Sequence, residues 1–413
     1  SYVLAKAGLV DKSGSGLILN GSTEYNPMSV DITNGTETIA KGKYDFGLGV
    51  SEDRTELGLS YKLVEVEINP GQILALTGAV QGETALADWE NASDFSAKIT
   101  GTGGIALLDG DLTLSGHDNS YEGDTIVGGT SGSAVLTVES SLGNTGHVIV
   151  NQTGKLINAS DETKAGYLTV AGGELELREG SLLTVLGNED SLVSGSITGS
   201  GALTLNAGDF EVVTDGNYSY SGRITVAQDA SYTLTSADGQ RVNVANSFAG
   251  DADAAGTVAF NGNGSTYELL GSAVDFANGA FLLGDGVTIE TSDINALGGE
   301  GAALRLTTSG EDKATVRFDY DKTEGTQYLS IAQQMTQGIT FAKSGTGVVE
   351  LTDSSLGAGA VDVEEGGVIF GEAGSDTRYS TAMTVRSNAW AAGFGAVDSL
   401  TVAGNGSFYV GGM

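Results

Sequence analysis

The chain has 413 residues and a formal net charge of −34, from 53 acidic side chains against 19 basic ones. Long-range repulsion of that size disfavours nucleic acid and anionic membranes as partners, and leaves calcium, cationic partners and neutral sugars. No cysteine is present, which removes disulfides, thiolate metal sites and thiol nucleophiles together.

The N-terminal stretch reads as an atypical start. "SYVLAKAGLV" has no basic-then-apolar leader, and no apolar run approaches the ~20 residues of a membrane-spanning helix. The expectation is a mature or excised soluble segment with any membrane anchor outside it. Residues 42–78 alternate around a polar "SEDRT" turn, as a hairpin would, and 82–97 interrupt the pattern where a helical turn would fit. Residues 1–98 are therefore expected to be a cap and first coils, because the end of a solenoid must cover its edge.

From residue 99 to 413 the texture becomes short strands and glycine-rich turns. The chain has 64 glycines and only two prolines, Pro27 and Pro70. "YLTVAGGELELREGSLLTVLG" (167–187) holds three triplets in which Leu168, Leu175 and Leu183 begin an inward alternation. Strands this short can form a meander of hairpins, or a coil in which each strand pairs with one about twenty residues away. Only the coil repeats without limit. Three such steps predict circuits of about 22 to 25 residues and about 14 coils from residue 99 onward. Leu400 and Phe408 are expected to face inward in the same way. The fold class is thus all-β, a three-sided parallel β-helix.

A longer echo supports the coil. "ITGTGGIALLDGDLTLSGHDNSYEGDTIV" (99–127) is similar to "ITGSGALTLNAGDFEVVTDGNYSYSGRITV" (197–226), and "FAKSGTGVVELTD" (341–353) is a shorter copy. Each opens with a Gly-x-Gly corner, beginning at Gly101, Gly199 and Gly345, and the first two run on to Tyr121 with Gly123 and Tyr220 with Gly222. The Gly-x-Gly, "LTLSG" (112–116) and Asn119-Ser120-Tyr121-Glu122-Gly123 succession resembles the passenger-associated repeats of type V autotransporters. The stretches 57–78 and 391–412 resemble passengers of the AIDA-like, self-associating adhesin branch. The resemblance implies a right-handed β-helical passenger, carried across the outer membrane of a Gram-negative cell by a C-terminal β-barrel expected outside this chain. It also implies roles in aggregation, biofilm formation and adherence.

Catalytic motifs find little support. His117 and His147 follow "LSG" and "NTG" and are expected at exposed corners, and neither Gly-x-Ser-x-Gly nor Gly-Asp-Ser-Gly occurs. The acid pairs Asp109 with Asp111 and Asp251 with Asp253, in "DGD" and "DAD" contexts, read as turn formers, and Asp319 with Asp321 is a pair of the kind that 53 acidic residues produce by chance. The segment 251–262 lacks the closing glutamate of an EF-hand, so no cofactor or dedicated metal site is expected.

The positive case is binding. Polar corner residues on successive coils would align ~4.8 Å apart as a ladder. Asp118, Asn119, Asn144, Asn151, Asp215 and Asn217 are the candidates. Arg305, Lys313, Arg317 and Lys322 are a second candidate, a basic patch for sulfated glycans. The expected function is a non-enzymatic surface adhesin that binds the same protein on neighbouring cells. One alternative is recognition of host matrix proteins or glycosaminoglycans without self-association, and another is a β-helical polysaccharide lyase or glycoside hydrolase.

Overall fold

The computed structural model describes residues 2–6, 28–50, 56–78, 93–250, 256–271, 276, 279–300, 304–321, 329–374 and 376–411. They form strands and turns, with short 3-10 turns at Ile294–Leu297 and Ser355–Gly357. The chain divides into two compact units, one of residues 1–156 with 162–165, the other of residues 157–161 with 166–413.

The first unit begins with the expected hairpin. Strands Glu37–Val50 and Glu56–Ile68 pair antiparallel, with Ala40 opposite Ile68, while the "SEDRT" turn lies outside the described residues. Strand Glu56–Ile68 then pairs in parallel with Lys98–Gly101, Val66 beside Ile99, so one strand converts an antiparallel sheet into a parallel stack. Ala40, Val66, Ile68 and Ile99 are buried at that junction. Parallel stacking already starts at Ile73–Leu76, which pairs with Gly104–Leu107, and continues to Thr125–Val127 and His147–Asn151. The span 1–98 therefore holds both an antiparallel sheet and first coils. Most of the helical turn expected over 82–97 lies outside the described residues.

The second unit is a parallel β-solenoid with three strands per circuit in its early coils. Val170 pairs with Val193, Leu175 with Ile197 and Leu183 with Leu203, so the three strands of 167–187 each turn a corner and meet the next coil, as the coil reading requires. The stack continues through Leu203, Ile224 and Phe248 on one sheet. On another, Phe210, Tyr232, Val258, Phe281, Leu306 and Met335 follow one another in register. Register steps of this kind convert period-two alternation into continuous apolar columns. Each fully buried Leu, Val or Phe contributes about 1.5–3 kcal/mol relative to exposure. Rings stack along the columns as well, with Phe210 and Tyr232 at 5.9 Å and 13°.

The corners explain the repeated motif. Gly199 has φ of 92°, and a Cβ there would lie 2.0 Å from the Leu177 carbonyl oxygen of the previous coil; Gly101 and Gly345 share the positive φ. Gly201, the second glycine, sits directly beneath Gly222, where a Cβ would meet the Gly201 oxygen at 1.9 Å. Gly-x-Gly and Tyr-x-Gly are thus successive layers of one corner, at which two backbones approach too closely for any side chain. The tyrosine closes it from inside: Tyr220 is buried and its hydroxyl donates to the Gly201 oxygen at 2.9 Å.

One inward position is not buried. Leu400 continues the column of Val361 and Met383 by register, but it is 40% exposed. Its strand, Ala396–Val402, has a paired neighbour on one side only among the described residues, and no described strand covers the column there.

Candidate functional site

The ladder candidates divide into committed and exposed residues. Asn119 is buried: its Oδ1 accepts from the Ile99 N–H at 2.8 Å, and its Nδ2 donates to the carbonyls of Gly116 at 3.1 Å and Ser141 at 2.8 Å. One amide therefore ties three successive coils and faces no partner. Asn119→Ala is expected to destabilise the first unit by roughly 2–4 kcal/mol, since a buried N–H and two carbonyls lose their partner. Chemical denaturation and faster hydrogen exchange at the Ile99 amide would read this. Asn151 is half-buried and donates to the Gly128 carbonyl at 2.9 Å. Asp118, in a bend at φ 59°, and Asn144, in a turn, are exposed. Asp215 and Asn217 are exposed in the second unit, where Asp215 Oδ1 accepts from both the N–H and the side-chain amide of Asn217, at 3.1 and 3.0 Å.

That last corner lies between two open grooves. On one side is an open groove of about 670 Å³ lined by Ser194, Ser196, Thr214, Asp215, Asn217 and Ser236. On the other is one of about 550 Å³ lined by Asn217, Ser219, Arg241, Asn243 and Glu268. Arg241 is held across two coils, by Glu268 at 2.7 Å and Glu290 at 3.0 Å, which leaves its charge internally balanced. Below the grooves Tyr218 shares a hydrogen bond with Tyr232 at 2.8 Å and donates to Asn246 Oδ1 at 2.6 Å, while Asn246 Nδ2 donates to the Gly222 carbonyl. Burial pushes the Tyr218 and Tyr232 hydroxyls well above their usual range. They are fixed neutral groups that brace the corner. Shallow grooves floored by such a network suit extended polar surfaces better than an enclosed substrate.

Among the described residues, the two arginines of the basic candidate stand on different sheets. Arg305 is exposed on the sheet that contains Ala280–Leu283, whereas Arg317 is on the sheet that contains Thr288–Thr291 and is ion-paired with Glu364. Lys313 is exposed in the turn before Ala314–Asp319, and Lys322 lies outside the described residues. Among the acid pairs, Asp109 and Asp321 lie in connections between strands, whereas Asp111 and Asp319 lie within the strands Gly110–Leu114 and Ala314–Asp319, which corrects the turn reading for Asp111. Asp109 Oδ1 accepts from the Gly110 and Ser133 N–H groups, Asp319 from the Ser344 hydroxyl and Asp321 from Thr346; Asp251 and Asp253 lie outside the described residues. His117 is exposed in a bend, while His147 opens strand His147–Asn151 and is half-buried. Among the described residues no group of three or more His, Asp or Glu is placed to hold a metal ion.

Lys343 escaped the sequence reading. By register it stands inward between Phe318 and Val363, it is 0% exposed, and its ammonium donates to the corner carbonyls of Tyr320 at 3.1 Å, Gly345 at 2.8 Å and Ser344. The alternation Ile339, Phe341, Lys343 was the available signal.

No protein family model matches the chain, and no solved structure matches it. Two curated proteins of Escherichia coli (strain K12) are similar to it. One is "Probable autotransporter YfaL", 26% identical over 420 residues, covering 92% of this chain and 31% of that protein. The other is "Uncharacterized protein YuaQ", 26% identical over 232 residues, covering 55% of this chain and 16% of that protein. The chain spans less than a third of the length of either relative. Likeness to a probable autotransporter along nearly the whole chain, joined to stacked parallel coils, supports its reading as a segment of an autotransporter passenger.

Proposed function

We propose that this chain is a non-enzymatic adhesin passenger, secreted across the outer membrane of a Gram-negative cell and displayed on its surface, where it associates with the same protein on neighbouring cells. The observation that carries the reading is the outward face of the second unit. Thr184, Thr204 and Thr225 align on one sheet, and Thr266, Thr288, Thr315 and Thr340 on another. Such columns repeat one hydroxyl per coil at ~4.8 Å. Contacts to a second identical column are weak singly and add through repetition.

Charge sets the expected behaviour. Two copies at −34 repel, so association is expected to strengthen as salt rises from ~0.01 M to ~0.15 M, over which the screening length falls from ~30 to ~8 Å. Sedimentation velocity across a concentration series at each salt would read it. Thr288→Glu with Thr315→Glu is expected to weaken association while the melting temperature holds. A strictly monomeric protein at every salt would overturn self-association and move the reading to host-ligand adhesion. Turnover of a polysaccharide would overturn the non-enzymatic reading.

A further inference from the structure

One outward face departs from the polar pattern. On the last four strands of a five-stranded sheet, Val348–Leu351, Gly367–Phe370, Trp390–Gly393 and Ser407–Val410, the outward positions align as Val348, Gly367, Trp390, Ser407 and as Glu350, Ile369, Ala392, Tyr409. Where other faces carry threonine, serine and glutamate, this one carries aromatic and apolar groups.

Two rings dominate it. Trp390 covers Gly367: a Cβ on that glycine would lie 2.3 Å from the indole Cε2 and Cζ2 and 2.8 Å from Cδ2. The indole is therefore laid on the backbone of the preceding coil and is half-buried. Tyr409 stands against it, ring centroids 6.5 Å apart at 73°, and is 47% exposed. The pair makes a floor and a wall.

We propose that this aromatic corner binds a neutral oligosaccharide, a sugar ring stacking on Trp390 beside Tyr409. The C–H face of a pyranose is apolar and weakly positive, and an aromatic face is electron-rich, so the two attract as other partners of an aromatic quadrupole do. The Ser407 hydroxyl and the Glu350 carboxylate, on either side of the floor, can meet sugar hydroxyls. Charge selects against acidic sugars: Glu350 is the one charged group among the eight outward positions, and no cation is there to meet a sulfate or carboxylate. Size selects against a protein. Four strands span about 14 Å, which suits two or three sugar rings and is far below the ~800 Å² per partner of a stable protein interface. The proposal is independent of self-association, because it concerns the isolated chain.

Trp390 is one of two tryptophans, so Trp89→Phe makes it the sole reporter. That variant, at a concentration where it is monomeric, would be titrated with neutral gluco-, manno- and galacto-oligosaccharides and with a heparin fragment, following tryptophan emission. A saturable change with a neutral oligosaccharide and none with heparin is expected. In calorimetry with the same sugar, Tyr409→Ser should weaken binding on the order of tenfold, the size of one lost stacking contact, and Trp390→Ala should abolish it. Circular dichroism would confirm that both variants fold. The proposal is overturned by silence with every neutral oligosaccharide, by a response to heparin alone, or by affinity unchanged in the folded Tyr409→Ser protein. Loss of self-association in these variants without any sugar binding would also overturn it and make the corner a contact between copies.

Discussion

Gly199→Ala is expected to lower the stability of the second unit by roughly 3 kcal/mol or more. Two costs add. At φ 92° the left-handed region costs an L-residue about 1–2 kcal/mol. The new methyl would also stand 2.0 Å from the Leu177 oxygen, a backbone atom that cannot turn aside, so the coils must separate. Gly239→Ala provides the control: φ is +71°, but nothing lies within 4 Å of the added carbon. Its effect should stay near the conformational cost alone. Denaturant unfolding of the two variants side by side would separate the terms. Equal losses would mean that close approach of the coils is not what the Gly-x-Gly corner requires.

The second large effect is expected at Lys343. Lys343→Ala removes an alkyl stem packed between Phe318 and Val363 and leaves the carbonyls of Tyr320, Ser344 and Gly345 without their donor. A loss of roughly 3 kcal/mol or more follows from the cavity and the unmet acceptors together. Burial also lowers the Lys343 ammonium pKa to about 8, against the opposing pull of Asp319, Asp321 and Glu365. Between that value and the ordinary 10.5 the unfolded chain holds a proton that the folded chain has lost. Stability should therefore rise with pH across that window, with the full penalty present below it. Tyr121, Tyr218, Tyr220, Tyr232 and Tyr267 act oppositely. Burial raises their pKa values above 10.0, so their contribution is present below that pH and is lost above it as the unfolded chain ionises. Denaturant midpoints from pH 7 to 11 should climb and then fall, and in Lys343→Met the climb should vanish while the fall remains.

Local pattern was enough for several features. The alternation of Leu168, Leu175 and Leu183 placed all three inward, and the circuit read from 167–187 matches the observed pairing of Leu183 with Leu203 and Leu175 with Ile197. The Gly-x-Gly and Tyr-x-Gly motifs were visible as repeats, although that Gly201 lies under Gly222 was not. The "NSYEG" and "NYSYSG" copies show where motif reading stops. Two residues before the tyrosine, one copy has Asn119 and the other Tyr218, and both are committed to internal hydrogen bonds. Asn217, three before, is exposed beside Asp215. A single inserted residue moves an asparagine from the inside of a corner to its surface.

What the amino-acid sequence determined by itself is the periodic part: short strands, the spacing of coils, inward apolar columns and glycine where coils touch. These follow from local rules, since side chains alternate with period two and glycine fits where two coils approach too closely for a side chain. What only the tertiary structure decided is which residues from different coils share a surface. Arg305 and Arg317 are twelve positions apart yet stand on different sheets, while Trp390 finds Gly367 and Tyr409 on adjacent coils. Neighbourhood on a solenoid is set by register between strands about twenty residues apart. A corner longer or shorter by one residue changes that register without altering any local pattern.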